Sequence, residues 1–271
     1  MPISAFKSHE VKSGSWTAEI HFESSGTGDG TTSKHYLKSL ALYQKSFMKA
    51  FEHFYGKLNE YTVLALLPSY LERKGSSLVF MADEFIRKSN QKESGFFLHE
   101  HTKLNTVLNK LAKKQRKVLL IGVSFGLLDF VEKHKPAANS NLIVMETGGM
   151  KGRRKEILRT ELHEILMHGF SLDRIHSEYG MTELLSQAYS KGNGRFNTPK
   201  WMKVMVRKQD DPFSYAAVGR SGAINVIDLA NIYSVAFIQT DDLGRLHSDG
   251  SFEVLGRFDQ TAIRGCNLMV E

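Results

Sequence analysis

Between Thr62 and Glu178, short apolar runs alternate with segments of helical periodicity, and this alternation narrows the possible folds more than any other feature of the chain. Thr62 to Leu67 (ended by Pro68), Lys117 to Val123 and Asn141 to Glu146 read as buried strands, with Arg174 to Glu178 a shorter one. Leu104 to Leu111, Ser124 to Lys133 and Arg154 to Met167 carry apolar residues at the spacing of helices. Such a βα succession predicts an α/β fold, a mostly parallel sheet with flanking helices. Upstream, Trp16 to Phe22 reads as a strand. Tyr36, Leu40, Tyr43, Phe47, Phe51 and Phe54 recur three and four apart, an aromatic helix face that belongs in a core.

After Ser190 the texture changes. Lys191 to Pro199 is turn-rich, and short strands follow at Met202 to Val206, Ala223 to Asp228, Ser234 to Thr240 and Phe252 to Leu255. The expectation is an antiparallel, β-rich, barrel-like C-terminal lobe over 196–271, after an α/β region over 1–195. A chain of 271 residues is long enough to bury a large core of this kind.

Composition removes several classes of function. One cysteine excludes an intramolecular disulfide framework and a multi-thiolate metal centre, and fits a reducing, cytoplasmic compartment. The opening residues lack an apolar signal core, and the greasiest run, Val118 to Val131, falls short of the about 20 apolar residues of a membrane span. Neither secretion nor membrane insertion is expected. The net charge of +7 includes basic clusters at Lys113 to Lys117 and Lys151 to Lys155, but 29 acids are interspersed. That pattern favours small anions over nucleic acid.

Four features point to chemistry. Gly26, Gly28 and Gly30 lie among Ser24, Ser25, Thr27, Thr31, Thr32, Ser33 and Lys34. Glycine lets backbone amides approach phosphate oxygens, and the hydroxyls and the lysine add donors. The spacing is not that of a Walker loop; a flexible polar hairpin is the plainer alternative. Ser177-Glu-Tyr-Gly-Met-Thr-Glu183 stands at a strand end and is expected to open a helix, whose N-terminus would favour an anion. There Thr182 would bond a phosphate oxygen and Glu183 a magnesium ion, although a capping motif has the same composition. Thr240-Asp-Asp-Leu-Gly244 offers a carboxylate at a turn, for ribose hydroxyls or simply for the turn. The fourth feature is Gly256-Arg-Phe-Asp259 followed by Arg264-Gly-Cys266.

In this order the four features resemble the adenylate-forming superfamily of acyl-CoA synthetases, peptide-synthetase adenylation domains and luciferases. In particular they resemble its acyl-protein synthetase, LuxE-like branch, as does Pro2-Ile-Ser-Ala-Phe-Lys7. The resemblance implies that the Ser24 to Lys34 loop holds the β- and γ-phosphates of ATP. It implies that Gly148-Gly149-Met150 and Tyr179 pack on adenine, and that Thr182 and Glu183 contact phosphate and Mg²⁺. Asp242 would bind the ribose, Arg257 the ribose or phosphates, and Asp259 would mark a hinge. It further implies activation of a long-chain fatty acid or other carboxylic acid to acyl-AMP and transfer to Cys266. Hand-over to an acyl-CoA-reductase-like partner would follow. One departure is Gly28-Asp29, where the family commonly has Thr-Gly. The resemblance further implies that the sequence corresponds to a truncated large domain, with the N-terminal lobe and the small C-terminal domain expected to be missing from it.

Two other readings compete. Gly122-Val-Ser-Phe-Gly126 matches a nucleophile elbow; with Asp228 or Asp242 and His247, Ser124 would make a serine esterase or thioesterase. A non-catalytic nucleotide-binding remnant is the other. His99-Glu100-His101 places two imidazoles on one face of a strand, but no further metal ligand accompanies them, and a solvated loop suits them better.

Overall fold

The computed structural model describes residues 1–25, 31–68, 72–73, 75–148 and 157–257. In chain order the elements begin with α1 (Ala5–Ser8), β1 (Ile20–Glu23), β2 (Lys34–Leu37), α2 (Leu40–Tyr55), β3 (Thr62–Leu66), α3 (Ser77–Ser89), β4 (Gly95–Phe96) and α4 (His101–Lys113). They continue with β5 (Val118–Val123), α5 (Ser124–Lys133), β6 (Leu142–Thr147), α6 (Arg159–Phe170) and β7 (His176–Tyr179). Six strands then follow, β8 (Ala188–Ser190), β9 (Arg195–Asn197), β10 (Met202–Arg207), β11 (Ser221–Asp228), β12 (Phe237–Leu246) and β13 (Phe252–Arg257).

The parallel half of the sheet runs β4-β3-β5-β6-β7. Every residue of β3 and β5 is buried, which is why these strands read as continuous apolar runs: helices cover both faces. Gly122 in β5 is needed for close approach, since a Cβ there would stand 2.9 Å from Leu66 Cβ and 3.0 Å from Leu127 Cγ. Across the other side, Tyr43, Phe47 and Phe51 of α2 are buried, and Phe47 and Phe51 pack edge-on or tilted against Phe85 of α3. Tyr36 belongs to β2 and not to the helix, which begins after Ser39, whose Oγ accepts the Leu42 amide at 3.3 Å.

The C-terminal strands are antiparallel, as their turn-separated pattern predicts. They continue the same eleven-stranded sheet in the order β10-β11-β12-β13-β9-β8-β7. They enclose a second core around Phe196, Phe252, Ile224 and Val226, to which α1 adds Phe6. β1 and β2 form a separate antiparallel pair in which Glu23 faces Lys34. Their connection is the loop rich in glycine and hydroxyls. Among the described residues no helix is long and apolar enough to cross a membrane.

Candidate active site

The carboxyl ends of β5, β6 and β7 open onto one cavity of about 820 Å³, the place where parallel sheets of this topology bind ligands. Ser124 and Gly148, which follow β5 and β6, line it directly. The hairpin between β1 and β2 contributes its neck. The Ser24 amide donates to Ser33 O at 3.0 Å, and the Ser33 amide donates back to Ser24 Oγ at 2.9 Å. Ser24, Ser25, Thr31 and Ser33 all face the cavity.

β7 delivers the next group. Tyr179 ends this strand, Gly180, Met181, Thr182 and Glu183 follow it, and all five border the same space. Glu183 is buried and hydrogen-bonded to the Ser33 hydroxyl; burial pushes its carboxyl up despite that bond. The Asn231 amide holds the Glu183 carbonyl at 2.8 Å. Tyr179 donates its phenol proton to Asp242 Oδ2 at 2.7 Å. Burial raises Asp242, while that hydrogen bond and Arg257 partly oppose the rise. Arg257 stands opposite Asp242 in the β12–β13 register and also lines the cavity.

Some expectations need correction. No helix follows the Glu178 to Glu183 motif. The chain turns, with the Leu184 amide bonded to Met181 O at 3.1 Å, and returns as β8. What prevents a helix is Asp228, whose buried carboxylate captures the amides of Leu185 and Ser186 at 2.8 and 2.9 Å. The helix-dipole contribution to anion binding therefore falls away. Thr32 and Lys34 do not line the cavity, because strand alternation turns Ser33 and His35 inward and Thr32 and Lys34 outward. Lys34 instead lies 3.6 Å from Glu23. Gly26, Thr27, Gly28, Gly149, Met150, Asp259, Arg264 and Cys266 lie outside the described residues.

The hydrolase constellation does not assemble. Ser124 donates to Gly148 O at 2.8 Å, His247 engages Arg195 and Glu253, and Asp228 caps the turn just described. The two glycines of its motif are packing residues, Gly122 against Leu66 and Gly126 against Val123 and Leu98. His99 and Glu100 precede α4 and His101 opens it, so they share no strand face. His99 lies 3.4 Å from Glu72, and Glu100 pairs with Lys103.

Sequence reasoning missed several residues. His35 is fully buried and bonds the Thr182 carbonyl through Nδ1 at 2.8 Å, with Nε2 3.1 Å from Ser234 Oγ. Because a carbonyl only accepts, Nδ1 carries the proton and Nε2 accepts from the serine. Burial lowers the His35 pKa to about 4, so the ring is neutral. Lys7 and Arg73 also line the cavity. So does Arg159, whose Nε lies 3.3 Å from Glu146 Oε1 while its Nη1 donates to Val254 O at 2.9 Å. Only the position of Arg159 in an apolar-patterned helix was visible in the sequence.

No protein-family model matches the chain, and a search of curated proteins finds no match. Solved structures do. The chain is similar to ATP-bound MatB from Rhodopseudomonas palustris, with a TM-score of 0.64, 16% identity, and 88% of this chain and 47% of that one covered. It is similar to O-succinylbenzoate coenzyme A synthetase (MenE) from Bacillus subtilis, determined with ATP and magnesium. There the TM-score is 0.59, the identity 16%, and the coverage 88% and 49%. A luciferase-like enzyme from the mealworm Zophobas morio gives 0.58 and 14%, covering 90% and 58%. The fold is that of the large domain of adenylate-forming enzymes. This chain spans about half the length of those structures.

Proposed function

We propose that this chain activates a carboxylic acid with ATP, forming acyl-AMP and releasing pyrophosphate. One observation carries the reading: the neck of the hydroxyl-rich hairpin, the Thr182–Glu183 pair and the Tyr179–Asp242 pair all border one cavity large enough for a nucleotide and an acid together. Similarity of fold to acid–coenzyme A ligases points the same way.

In this reading Asp242, held by Tyr179, accepts from the ribose hydroxyls, and Ser24, Ser33 and Thr182 donate to phosphate oxygens. The substrate carboxylate oxygen bonds to the α-phosphorus as the bridging oxygen leaves with pyrophosphate. Arg257, Lys7 and Arg73 bring positive charge to the walls around the charge that develops. Among the described residues no group of three or more His, Cys, Asp or Glu side chains could hold a metal ion. Magnesium bound with a nucleotide needs only one or two protein carboxylates besides phosphate oxygens, and Glu183 suits that donor set. When bound, it would neutralise polyphosphate charge.

The resemblance to acyl-protein synthetases supports a second step. The thiolate of Cys266 would attack the acyl carbonyl, AMP would leave, and an acyl-CoA-reductase-like protein would consume the thioester. The test of the first step is carboxylate-dependent exchange of labelled pyrophosphate into ATP. Exchange that disappears in Glu183→Ala supports the proposal; no exchange with any acid overturns it.

A further inference from the structure

One wall of the cavity carries buried hydrogen-bond acceptors, one of them without a partner among the described residues. Gln187 is 3% exposed and lines the cavity, and its carboxamide oxygen has no hydrogen-bond partner among the described residues. Buried polar atoms are nearly always paired, so an unpaired acceptor at a cavity wall is a position that a bound donor can complete. Beside it, Glu178 is 7% exposed and accepts the Thr147 hydroxyl at Oε2 (2.5 Å). Its other carboxylate oxygen, Oε1, is turned toward Gly180. The two side chains flank one glycine: a Cβ added at Gly180 would overlap Glu178 Oε1 and stand 3.3 Å from Gln187 Cγ.

The surroundings are correspondingly mixed. Ser77 and Met81 of α3 and Tyr43 of α2 border the cavity, with the Tyr43 phenol donating to Ser77 O at 3.0 Å. Burial, and then the nearby Glu178 carboxylate, push that phenol up, which places Glu178 within electrostatic reach of this side of the cavity. No cation is among the groups that act on Glu178: burial raises its pKa to about 7, Thr147 opposes, and Glu146 adds to the rise.

We propose that this wall receives the acyl part of the substrate, and that the acid carries a hydroxyl or amino donor which bonds Gln187 Oε1 and Glu178 Oε1. The inference rests on the adenylation reading and narrows its substrate. A plain long alkyl chain, as the family resemblance implies, would strip water from both acceptors and return no hydrogen bond.

The experiment compares short alkanoates with their hydroxy- and amino-substituted counterparts, by calorimetric binding to the ATP-loaded protein and by pyrophosphate exchange. The donor-bearing acid is expected to bind roughly a hundredfold tighter than its parent, since a site built to hydrogen-bond a donor rejects the analogue lacking it. Gln187→Leu and Glu178→Gln should each cut that preference by roughly tenfold while leaving ATP affinity and cooperative melting intact. Parent alkanoates that bind as well as their substituted forms overturn the inference, and so does failure of every acid to bind. A binding preference without exchange upholds the polar wall and overturns adenylation alone.

Discussion

His35 donates from Nδ1 to the carbonyl oxygen of Thr182 across 2.8 Å, and this hydrogen bond ties the hairpin that carries Ser24 and Ser33 to the turn that carries Glu183. Neither segment has regular structure at its cavity-facing end, so their mutual position depends on such cross-links. Desolvation keeps the fully buried ring neutral, with its single proton on the Nδ1 that makes this bond.

The pH dependence follows in sign. His35 has a folded pKa lowered from 6.5 to about 4, so an unfolded chain takes up its proton first as pH falls. Stability is present above 6.5 and is lost through the window down to about 4, at up to about 1.4 kcal/mol per pH unit per proton. Urea unfolding across this range should show the slope. His35→Asn, whose amide nitrogen takes the place of Nδ1, should reduce it. His176, lowered to about 4 chiefly by burial, leaves a residual slope of the same sign.

Glu178 acts on the opposite side. Burial raises its pKa from 4.5 to about 7, so the folded state holds a proton that the unfolded chain has released. Its contribution is fully present below 4.5 and is lost as pH rises through 7, on the order of 3 kcal/mol across the window. The groups acting on it are the Thr147 hydroxyl, the Glu146 carboxylate and the buried phenols of Tyr43 and Tyr189. Glu178→Gln should flatten the neutral-to-alkaline limb of the stability profile, measured by denaturant midpoints between pH 5 and about 9.

Asp228 is a structural residue. Its carboxylate accepts from the Leu185, Ser186 and Ala230 amides and from the Ser186 hydroxyl, between 2.6 and 3.1 Å, with no surface exposure. Asp228→Ala strands buried donors that each cost about 1–3 kcal/mol unpaired. The variant should lose roughly 3 kcal/mol or more of stability in chemical unfolding. A serine hydrolase acid would behave otherwise, altering ester turnover at unchanged stability.

The parts of this fold that were legible in the sequence are those set by local pattern. β5 and α5 fall where the apolar run ends at Val123 and the helical spacing begins at Ser124. The convergence of Ser24, Ser33, Thr182, Glu183 and Asp242 was legible as motif order. The helix expected after Thr182 was not to be excluded locally, because the residue that captures its amides lies 43 positions further on. Thr32 and Lys34 were within reach of a stricter reading, since period-two alternation through Ser33 and His35 already turns them outward. His35, Arg159 and the carboxamide oxygen of Gln187, unpaired among the described residues, carry no motif; their roles come only from tertiary neighbours.

Gly180 separates the two halves of the proposed site, nucleotide on one side and acyl group on the other. Its backbone is not left-handed, so an alanine there meets no conformational penalty of that kind. The difficulty is steric. The new methyl would occupy the position of Glu178 Oε1 and crowd Gln187 Cγ at 3.3 Å, while Tyr179 and Asp242 keep their 2.7 Å hydrogen bond on the other side of the turn. Glu178 must therefore rotate away and take the Thr147 hydrogen bond with it. Gly180→Ala is expected to weaken acid binding by roughly tenfold or more, the scale of one lost buried hydrogen bond to a charged group. ATP affinity should change by less than about threefold. Calorimetric titration of each ligand separates the two effects, and an equal loss for both would mean that the turn itself had moved.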